Sequence, residues 1–185
     1  MIKSRIFPNY KGVRFVDLTP TFASPDTLLK FVQSPAVNID YNVVVGVEAR
    51  GFILATAAGV SEKMKMNDVK IVLARKENKL PHGKTESGEI IDVYRESYLK
   101  EYSEGEGGSG DVIEIQSDSI KPGDKVLVID DILATGSTLK AVCKLVERSG
   151  GEVVRVAVME EIPGLGGKEV LSKYDVQVWS SWLNK

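Results

Sequence analysis

The chain has 185 residues, of which 43% are hydrophobic and 27% are charged, and its formal net charge is −2 at pH 7. These values predict one globular domain spanning residues 1–185. They exclude a general attraction to nucleic acid or membrane surfaces, and no apolar run could span a bilayer. One cysteine and no secretory signal predict a cytoplasmic location. A single histidine excludes a histidine-based metal cluster.

The N-terminal part of the chain alternates extended and helical patterns. Residues 1–12 predict an irregular start with one short helical turn, and residues 13–17 a short extended piece. Residues 25–34 predict a helix with Ser24 as N-cap and Pro25 at the first helical position. Buried strands are predicted at residues 43–47 and 69–74, with an alanine-rich helix over residues 51–64 between them.

Residues 75–110 have short apolar runs and are rich in Lys, Glu, Gly and Ser. Residues 93–94 and 112–115 predict the two arms of a β-hairpin, with residues 102–110 as its flexible tip. A linker would separate two cores, and too few residues follow this segment to form a second one. The segment therefore predicts an active-site flap.

The C-terminal part continues the alternation of strands and helices. Residues 126–129 with Ile132 predict a strand buried on both faces, and Leu139, Val142, Cys143 and Val146 predict the apolar face of a helix. Further strands are predicted at residues 152–159 and 176–182, with a briefly helical segment between them. The whole pattern predicts an α/β fold, a mostly parallel sheet with helices on both faces.

Two acids and a turn of small residues lie between the apolar run at residues 126–129 and the helix that follows. Asp130 and Asp131 are the acids, and the turn consists of Ala134, Thr135, Gly136, Ser137 and Thr138. Backbone N–H groups, three hydroxyls and a helix N-terminus together predict a phosphate site that needs no lysine. The alternative is helix capping by Thr135 or Ser137, which would explain only one hydroxyl. The spacing is not that of a P-loop.

Two more loops follow predicted parallel strands and carry cations. Arg50 lies between Ala49 and Gly51 and offers a planar fork suited to phosphate, although a surface pair with Glu48 is the alternative. The second loop contains Arg75, Lys76 and Lys79, for which a solvated basic turn is the alternative. Loops at the carboxyl ends of parallel strands converge, so we expect one shared site.

The acids followed by Ala-Thr-Gly-x-Thr resemble the motif that binds phosphoribosyl diphosphate (PRPP) in type I phosphoribosyltransferases. The segments at residues 48–52, 75–81 and 98–102 resemble the Arg-Gly-Phe, Lys-Leu-Pro and Glu-Tyr elements of the adenine branch. This resemblance runs from Phe7 to the last strand and implies a hairpin flap and a small N-terminal hood. It also implies that adenine and PRPP react to give AMP and diphosphate, with Mg²⁺ as cofactor.

The resemblance implies a role for each residue of the site. Ala134, Thr135, Gly136, Ser137 and Thr138 would hold the phosphate of PRPP, and Asp130 and Asp131 would serve its ribose and Mg²⁺, in part through water. Diphosphate would be bound by Glu48, Ala49, Arg50, Arg75, Lys76 and Lys79, with a cis peptide near Glu48-Ala49. The purine would be bound by Arg14, Phe15, Val16 and Ile132. The flap would carry Tyr98, Tyr102 and Glu101, the last as proton donor or acceptor for the purine.

Some alternatives stay open. Arg14 replaces a usually apolar residue of the adenine branch and Val16 a usually basic one, so hypoxanthine or guanine is an alternative base; Phe15 could also be a core residue. A non-catalytic, PRPP-sensing regulator would keep the fold, but such regulators normally carry a DNA-binding segment. The family also implies a homodimer with the basic loop near the subunit boundary.

Overall fold

A computed structural model describes residues 5–10, 13–98 and 110–182, with side chains described for residues 16–98 and 110–181. In chain order the elements are β1 (Arg5–Tyr10), β2 (Val13–Asp17), α1 (Thr19–Phe22), α2 (Pro25–Val32), β3 (Val43–Val47), α3 (Gly51–Met64), β4 (Lys70–Lys76), β5 (Gly83–Lys84), β6 (Ile90–Ile91), β7 (Val93–Tyr98), β8 (Asp111–Gln116), β9 (Lys125–Leu133), α4 (Ser137–Arg148), β10 (Glu152–Glu161), α5 (Gly167–Val170), β11 (Val176–Val178) and a 3₁₀ helix (Trp179–Trp182).

The centre of the fold is a seven-stranded sheet in the order β11-β10-β9-β3-β4-β8-β7. The strands from β11 to β4 are parallel, and β8 and β7 continue the sheet as an antiparallel hairpin. The predicted α/β class, with a mostly parallel sheet, is therefore confirmed. None of the helices in the described ranges is long and apolar enough to cross a membrane.

Helices cover both faces of the sheet because successive side chains of a strand point to opposite faces. Val126 and Val128 of β9 belong to the core cluster that contains the apolar face of α4. Leu127 and Ile129 belong to the second cluster, which contains Leu54 of α3 together with α2 residues. This two-sided burial confirms the strand predicted from the apolar run.

Three predictions of local structure were wrong. Residues 5–10 are not irregular but form β1, which pairs with β2 and places Phe7 opposite Phe15. Strand β4 is not buried on both faces, because Ile71 and Leu73 are 40% and 39% exposed. The closing strand ends at Val178, and the chain then turns into a 3₁₀ helix.

The base of the predicted flap is the β7–β8 hairpin, longer than its predicted arms. Its first arm is tied to α4, since Lys144 Nζ donates to Glu96 Oε1 (2.6 Å) and Arg148 Nη1 to the Arg95 carbonyl (2.8 Å). The hairpin base is thus fixed to the helix that follows the acid pair. The tip predicted at residues 102–110 falls almost entirely outside the described residues.

Candidate active site

Three loops meet at one edge of the sheet because β9, β3 and β4 are adjacent and parallel. Each loop leaves the carboxyl end of its strand, and ligands of α/β sheets bind at that edge. The loops are those predicted from the sequence: the turn after the acids, the Arg50 turn and the basic loop. The structure thus brings together residues that lie far apart in the chain.

The turn after the acids is a tight bend that leads directly into α4. Gly136 is the N-cap residue, with φ +80°, and no side chain caps the helix. Neither Thr135 nor Ser137 is therefore the N-cap residue. Thr135 Oγ1 and Ser137 Oγ lie 3.2 Å apart, and the Ser137 N–H donates a long hydrogen bond of 3.4 Å to Thr135 Oγ1. The helix N-terminus, with its positive dipole, thus faces two half-buried hydroxyls.

Gly136 has a second constraint besides its left-handed backbone. A Cβ at this position would lie 2.8 Å from the carbonyl oxygen of Gly167, closer than such atoms pack. Gly167 itself lies against Ala134, where an added Cβ would collide with the carbonyl oxygen. The first residue of α5 therefore packs against the bend and supports it. Sequence reasoning missed this support.

The acids lie within β9 rather than after it, since the strand runs on to Leu133. The Asp131 side chain is 6% exposed, and its Oδ2 lies 2.8 Å from Arg50 Nε. This is an ion pair by distance, although the two groups are not aligned for a hydrogen bond. Asp131 Oδ2 therefore accepts no hydrogen bond from the described residues, although it is buried. Asp130 Oδ1 accepts the backbone N–H of Asp131 (2.9 Å).

The two carboxylates differ in electrostatic environment. Burial raises the pKa of Asp130 well above its usual range, and the adjacent charge of Asp131 adds to the rise. Burial also raises the pKa of Asp131, but the Arg50 guanidinium opposes that rise. Asp131 is thus the acid that carries the negative charge more readily, and Asp130 is held in an environment that favours a proton or a cation.

The Arg50 turn is pressed against the end of β9. A Cβ on Gly51 would lie 2.8 Å from the Ile129 carbonyl oxygen and 3.2 Å from Asp130 Oδ1. The peptide bond between Glu48 and Ala49 is cis, as the resemblance implied. Glu48 Oε2 accepts the backbone N–H of Lys76 (2.9 Å), so this carboxylate joins the Arg50 turn to the basic loop.

The basic loop is held by hydrogen bonds to its backbone. Arg75 Nη1 donates to the Lys79 carbonyl (3.0 Å), and Asn78 supplies the left-handed residue with φ +61°. Glu114 Oε1, on β8, accepts the N–H groups of both Lys79 and Leu80 at 3.0 Å. The side chains of Lys76 and Lys79 are exposed, whereas the guanidinium of Arg75 lies beside Glu48.

The residues predicted to bind the purine are described only in part. Arg14 and Phe15 lie in β2, but their side chains are outside the described residues. Val16 is buried in the core cluster on the α3 side of the sheet, and Ile132 is packed partly against it. On the flap, Tyr98 is buried at the end of β7, whereas Glu101 and Tyr102 lie outside the described residues.

Glu114 was missed by sequence reasoning. It is fully buried, yet it lies between Ile113 and Ile115 in a segment interpreted only as a hairpin arm. A charged residue inside an apolar strand was the available signal, because buried carboxylates are almost always paired. Its partners are non-local, which is why the sequence did not reveal them.

The acid pair suits a hard cation that takes only part of its ligands from the protein. The described residues contain no group of three or more acidic, histidine or cysteine side chains that could hold a metal ion. The buried Oδ2 of Asp131, which accepts no hydrogen bond from the described residues, and the neighbouring Asp130 are oxygen ligands of the type Mg²⁺ takes. The residues therefore fit a Mg²⁺ ion that is bound largely by substrate and water.

Comparison with known proteins agrees with this geometry. The phosphoribosyl transferase domain family model matches residues 26–181. Adenine phosphoribosyltransferase of Roseobacter denitrificans is 39% identical over 93% of this chain and 88% of its own, and that of Caldicellulosiruptor bescii is 42% identical over 92% and 87%.

Solved structures show the same relationship. Adenine phosphoribosyltransferase from Rhodothermus marinus matches with a TM-score of 0.77 and 34% identity, over 95% of this chain and 92% of that one. The enzyme from Saccharomyces cerevisiae, solved with adenine and an imino-altritol bisphosphate, matches with a TM-score of 0.77 and 26% identity, over 95% and 93%. The chain belongs to the phosphoribosyl transferase domain family and, within it, to the adenine phosphoribosyltransferases.

Proposed function

We propose that one domain, residues 1–185, transfers the phosphoribosyl group of PRPP to adenine and releases AMP and diphosphate, by means of the three loops described above. The observation that carries the proposal is the bend at Thr135–Ser137, where two hydroxyls and an uncapped helix N-terminus lie beside the acid pair. The adenine bound in the solved yeast relative supports adenine as the base.

The bend would bind the 5-phosphate of PRPP. The N–H groups at the start of α4 and the hydroxyls of Thr135, Ser137 and Thr138 would donate hydrogen bonds to its oxygens, and the helix dipole would favour its charge. Ala134 and Gly136 would contribute their backbone. With the phosphate held here, the ribose would lie over Asp130 and Asp131, whose carboxylates accept hydrogen bonds from its hydroxyls.

The acid pair would also hold Mg²⁺, in part through water, beside the diphosphate of PRPP. When bound, the ion neutralises part of the diphosphate charge. The ion pair between Arg50 and Asp131 keeps the guanidinium over the acids, so that Arg50 can contact the diphosphate from the side of β3. The raised pKa of Asp130 suits a residue that becomes fully ionised only when a cation arrives.

The leaving diphosphate would be received by the Arg50 turn and the basic loop. As the bond to the ribose breaks, negative charge grows on the diphosphate, and the cations of Arg50, Lys76 and Lys79 would stabilise it. Arg75, Glu48 and Ala49 would contribute by shaping these loops, since Arg75 bonds the Lys79 carbonyl and Glu48 the Lys76 N–H.

The purine side rests on residues that the structure describes least. Phe15 would stack on the base, with Ile132 on its other face and the backbone of Arg14 and Val16 at its edge. Adenine must lose a proton as the new bond forms, and Glu101 on the flap would accept it. Closure of the flap, with Tyr98 and Tyr102, would exclude water that otherwise hydrolyses PRPP.

A homodimer is proposed from exposed apolar side chains on two neighbouring elements and the turn between them. They are Ile53, Val60 and Met64 of α3, Met66, and Ile71 and Leu73 of β4. Strand β4 leads directly into the basic loop, so a second copy seated on Ile71 and Leu73 would approach the diphosphate site. Leu73→Glu should give a monomer in light scattering, whereas a dimer that survives this change would refute the assignment.

The reducing compartment suited to a single buried cysteine is the basis for proposing a cytoplasmic location.

Turnover with PRPP, Mg²⁺ and each of adenine, hypoxanthine, guanine and xanthine tests the function directly, with diphosphate release as the readout. We expect release and AMP formation with adenine. Release with hypoxanthine or guanine instead would assign the alternative base. Tight PRPP binding without release for any base would replace the enzyme with a PRPP sensor.

A further inference from the structure

We propose that Glu114 is a positioning residue that fixes the basic loop for diphosphate binding and couples that loop to the base of the flap. The proposal rests on the proposed function, because it assigns this role at the same site. Glu114 is 0% exposed and lies in β8, opposite Arg75 of β4 on one side and Arg95 of β7 on the other. It therefore lies between the loop that follows β4 and the first arm of the flap.

One oxygen of Glu114 holds the loop. Oε1 accepts the N–H groups of the consecutive residues Lys79 and Leu80, both at 3.0 Å. Two adjacent N–H groups on one oxygen fix the orientation of the peptide between them, and that orientation sets the direction of the Lys79 side chain. An ionised acceptor makes these bonds about twice as strong as neutral ones.

The other oxygen of Glu114 faces the flap. Oε2 lies 3.3 Å from Arg95 Nε, at ion-pair distance though not aligned for a hydrogen bond. The carbonyl of Arg95 in turn accepts a bond from Arg148 of α4. A chain of contacts thus runs from the basic loop through Glu114 and Arg95 to the helix whose N-terminus lies at the bend.

A buried carboxylate is a costly way to close a loop. Desolvating it carries a penalty that an apolar side chain between Ile113 and Ile115 would avoid. What an apolar residue could not supply is an acceptor for two loop N–H groups together with a counter-charge for Arg95. The charge of Glu114 is therefore explained by its two contacts, one with the basic loop and one with the flap arm.

Three variants separate the two contacts. Glu114→Ala removes both the loop acceptor and the charge. Glu114→Gln keeps an acceptor for the Lys79 and Leu80 N–H groups but loses the ion pair with Arg95. Glu96→Gln is the matched control. Glu96 follows Arg95 on the same flap arm, and it pairs with α4 but not with the basic loop.

Calorimetry in the presence of Mg²⁺ measures the affinity of each protein for two probes, inorganic diphosphate and ribose 5-phosphate. For Glu114→Ala we expect diphosphate affinity to fall by about tenfold or more, with ribose 5-phosphate affinity unchanged, because that ligand uses the bend after β9. Glu114→Gln should lose less diphosphate affinity than Glu114→Ala, and Glu96→Gln should lose none. In the free protein, hydrogen exchange at the Lys79 and Leu80 amides should be faster in Glu114→Ala than in wild type.

Unchanged diphosphate affinity and unchanged exchange in Glu114→Ala would overturn the proposal. Equal losses for both ligands would also overturn it, because they would mark Glu114 as a residue of general stability. If wild type binds neither ligand, the proposed function itself fails, and that result does not depend on the variants. The exchange measurement tests the loop contact without any ligand.

Discussion

Replacing Gly136 with alanine tests whether the bend after the acids has the shape described. Gly136 has φ +80°, where a residue with a Cβ costs about 1–2 kcal/mol. The added Cβ would also lie 2.8 Å from the Gly167 carbonyl oxygen, and overpacking of this kind costs about 1–3 kcal/mol. Gly136→Ala should therefore lower the free energy of unfolding by about 2–5 kcal/mol.

Gly123 provides a matched control for the backbone part of this cost. It has a similar φ of +86°, but a Cβ there would meet nothing within 4 Å. Gly123→Ala should cost only the backbone penalty of about 1–2 kcal/mol. The difference between the two variants isolates the contact between the bend and Gly167.

Urea unfolding measures both costs, and calorimetry with ribose 5-phosphate measures the functional effect. Gly136→Ala should abolish binding of ribose 5-phosphate, because the shifted bend no longer presents its N–H groups, whereas Gly123→Ala should bind as wild type does. Equal destabilisation by the two variants, or undiminished binding by Gly136→Ala, would refute the reasoning.

Three further outcomes are expected. Asp130→Asn should raise the free energy of unfolding at neutral pH, since the raised pKa of Asp130 means that its ionisation opposes folding. In urea titrations this gain in stability should vanish as the pH approaches about 4, the usual aspartate pKa, and a gain that persists below that pH would contradict the assignment. Glu101→Gln should lower kcat by on the order of 100-fold while PRPP affinity changes little, and an equal fall in both would make it a binding group. Cys143 is buried and its thiol pKa is raised, so a thiol reagent should label it only in the unfolded protein; rapid labelling of native protein would show that the helix face is open.

Much of the central sheet was predictable because its signals are local. Strand β3 and helix α3 have the predicted bounds, since a run of valines and an alanine-rich segment each determine their own conformation. Strand β4 shows the limit of that reasoning. Its apolar run indicated burial on both faces, but Ile71 and Leu73 stay partly exposed. How far α3 covers the neighbouring strand depends on packing, which the run itself does not encode.

Some parts of the candidate site were likewise predictable from local sequence, and others were not. The bend and the Arg50 turn were predicted because each has its chemistry in consecutive residues. The residues that hold these loops, Glu114 and Gly167, were missed because their partners lie far away in the sequence. At the N-terminus, β1 was missed because Pro8 disfavours a strand, whereas pairing with β2 stabilises one there.

The proposed function depends on the bend between the acid pair and α4, which should hold the 5-phosphate of the sugar donor. A crystal structure with ribose 5-phosphate would locate that phosphate. We expect phosphate oxygens within hydrogen-bond distance of the backbone nitrogens at the start of α4 and of the Thr135 and Ser137 hydroxyls. A phosphate bound at the basic loop, with the bend empty, would contradict it.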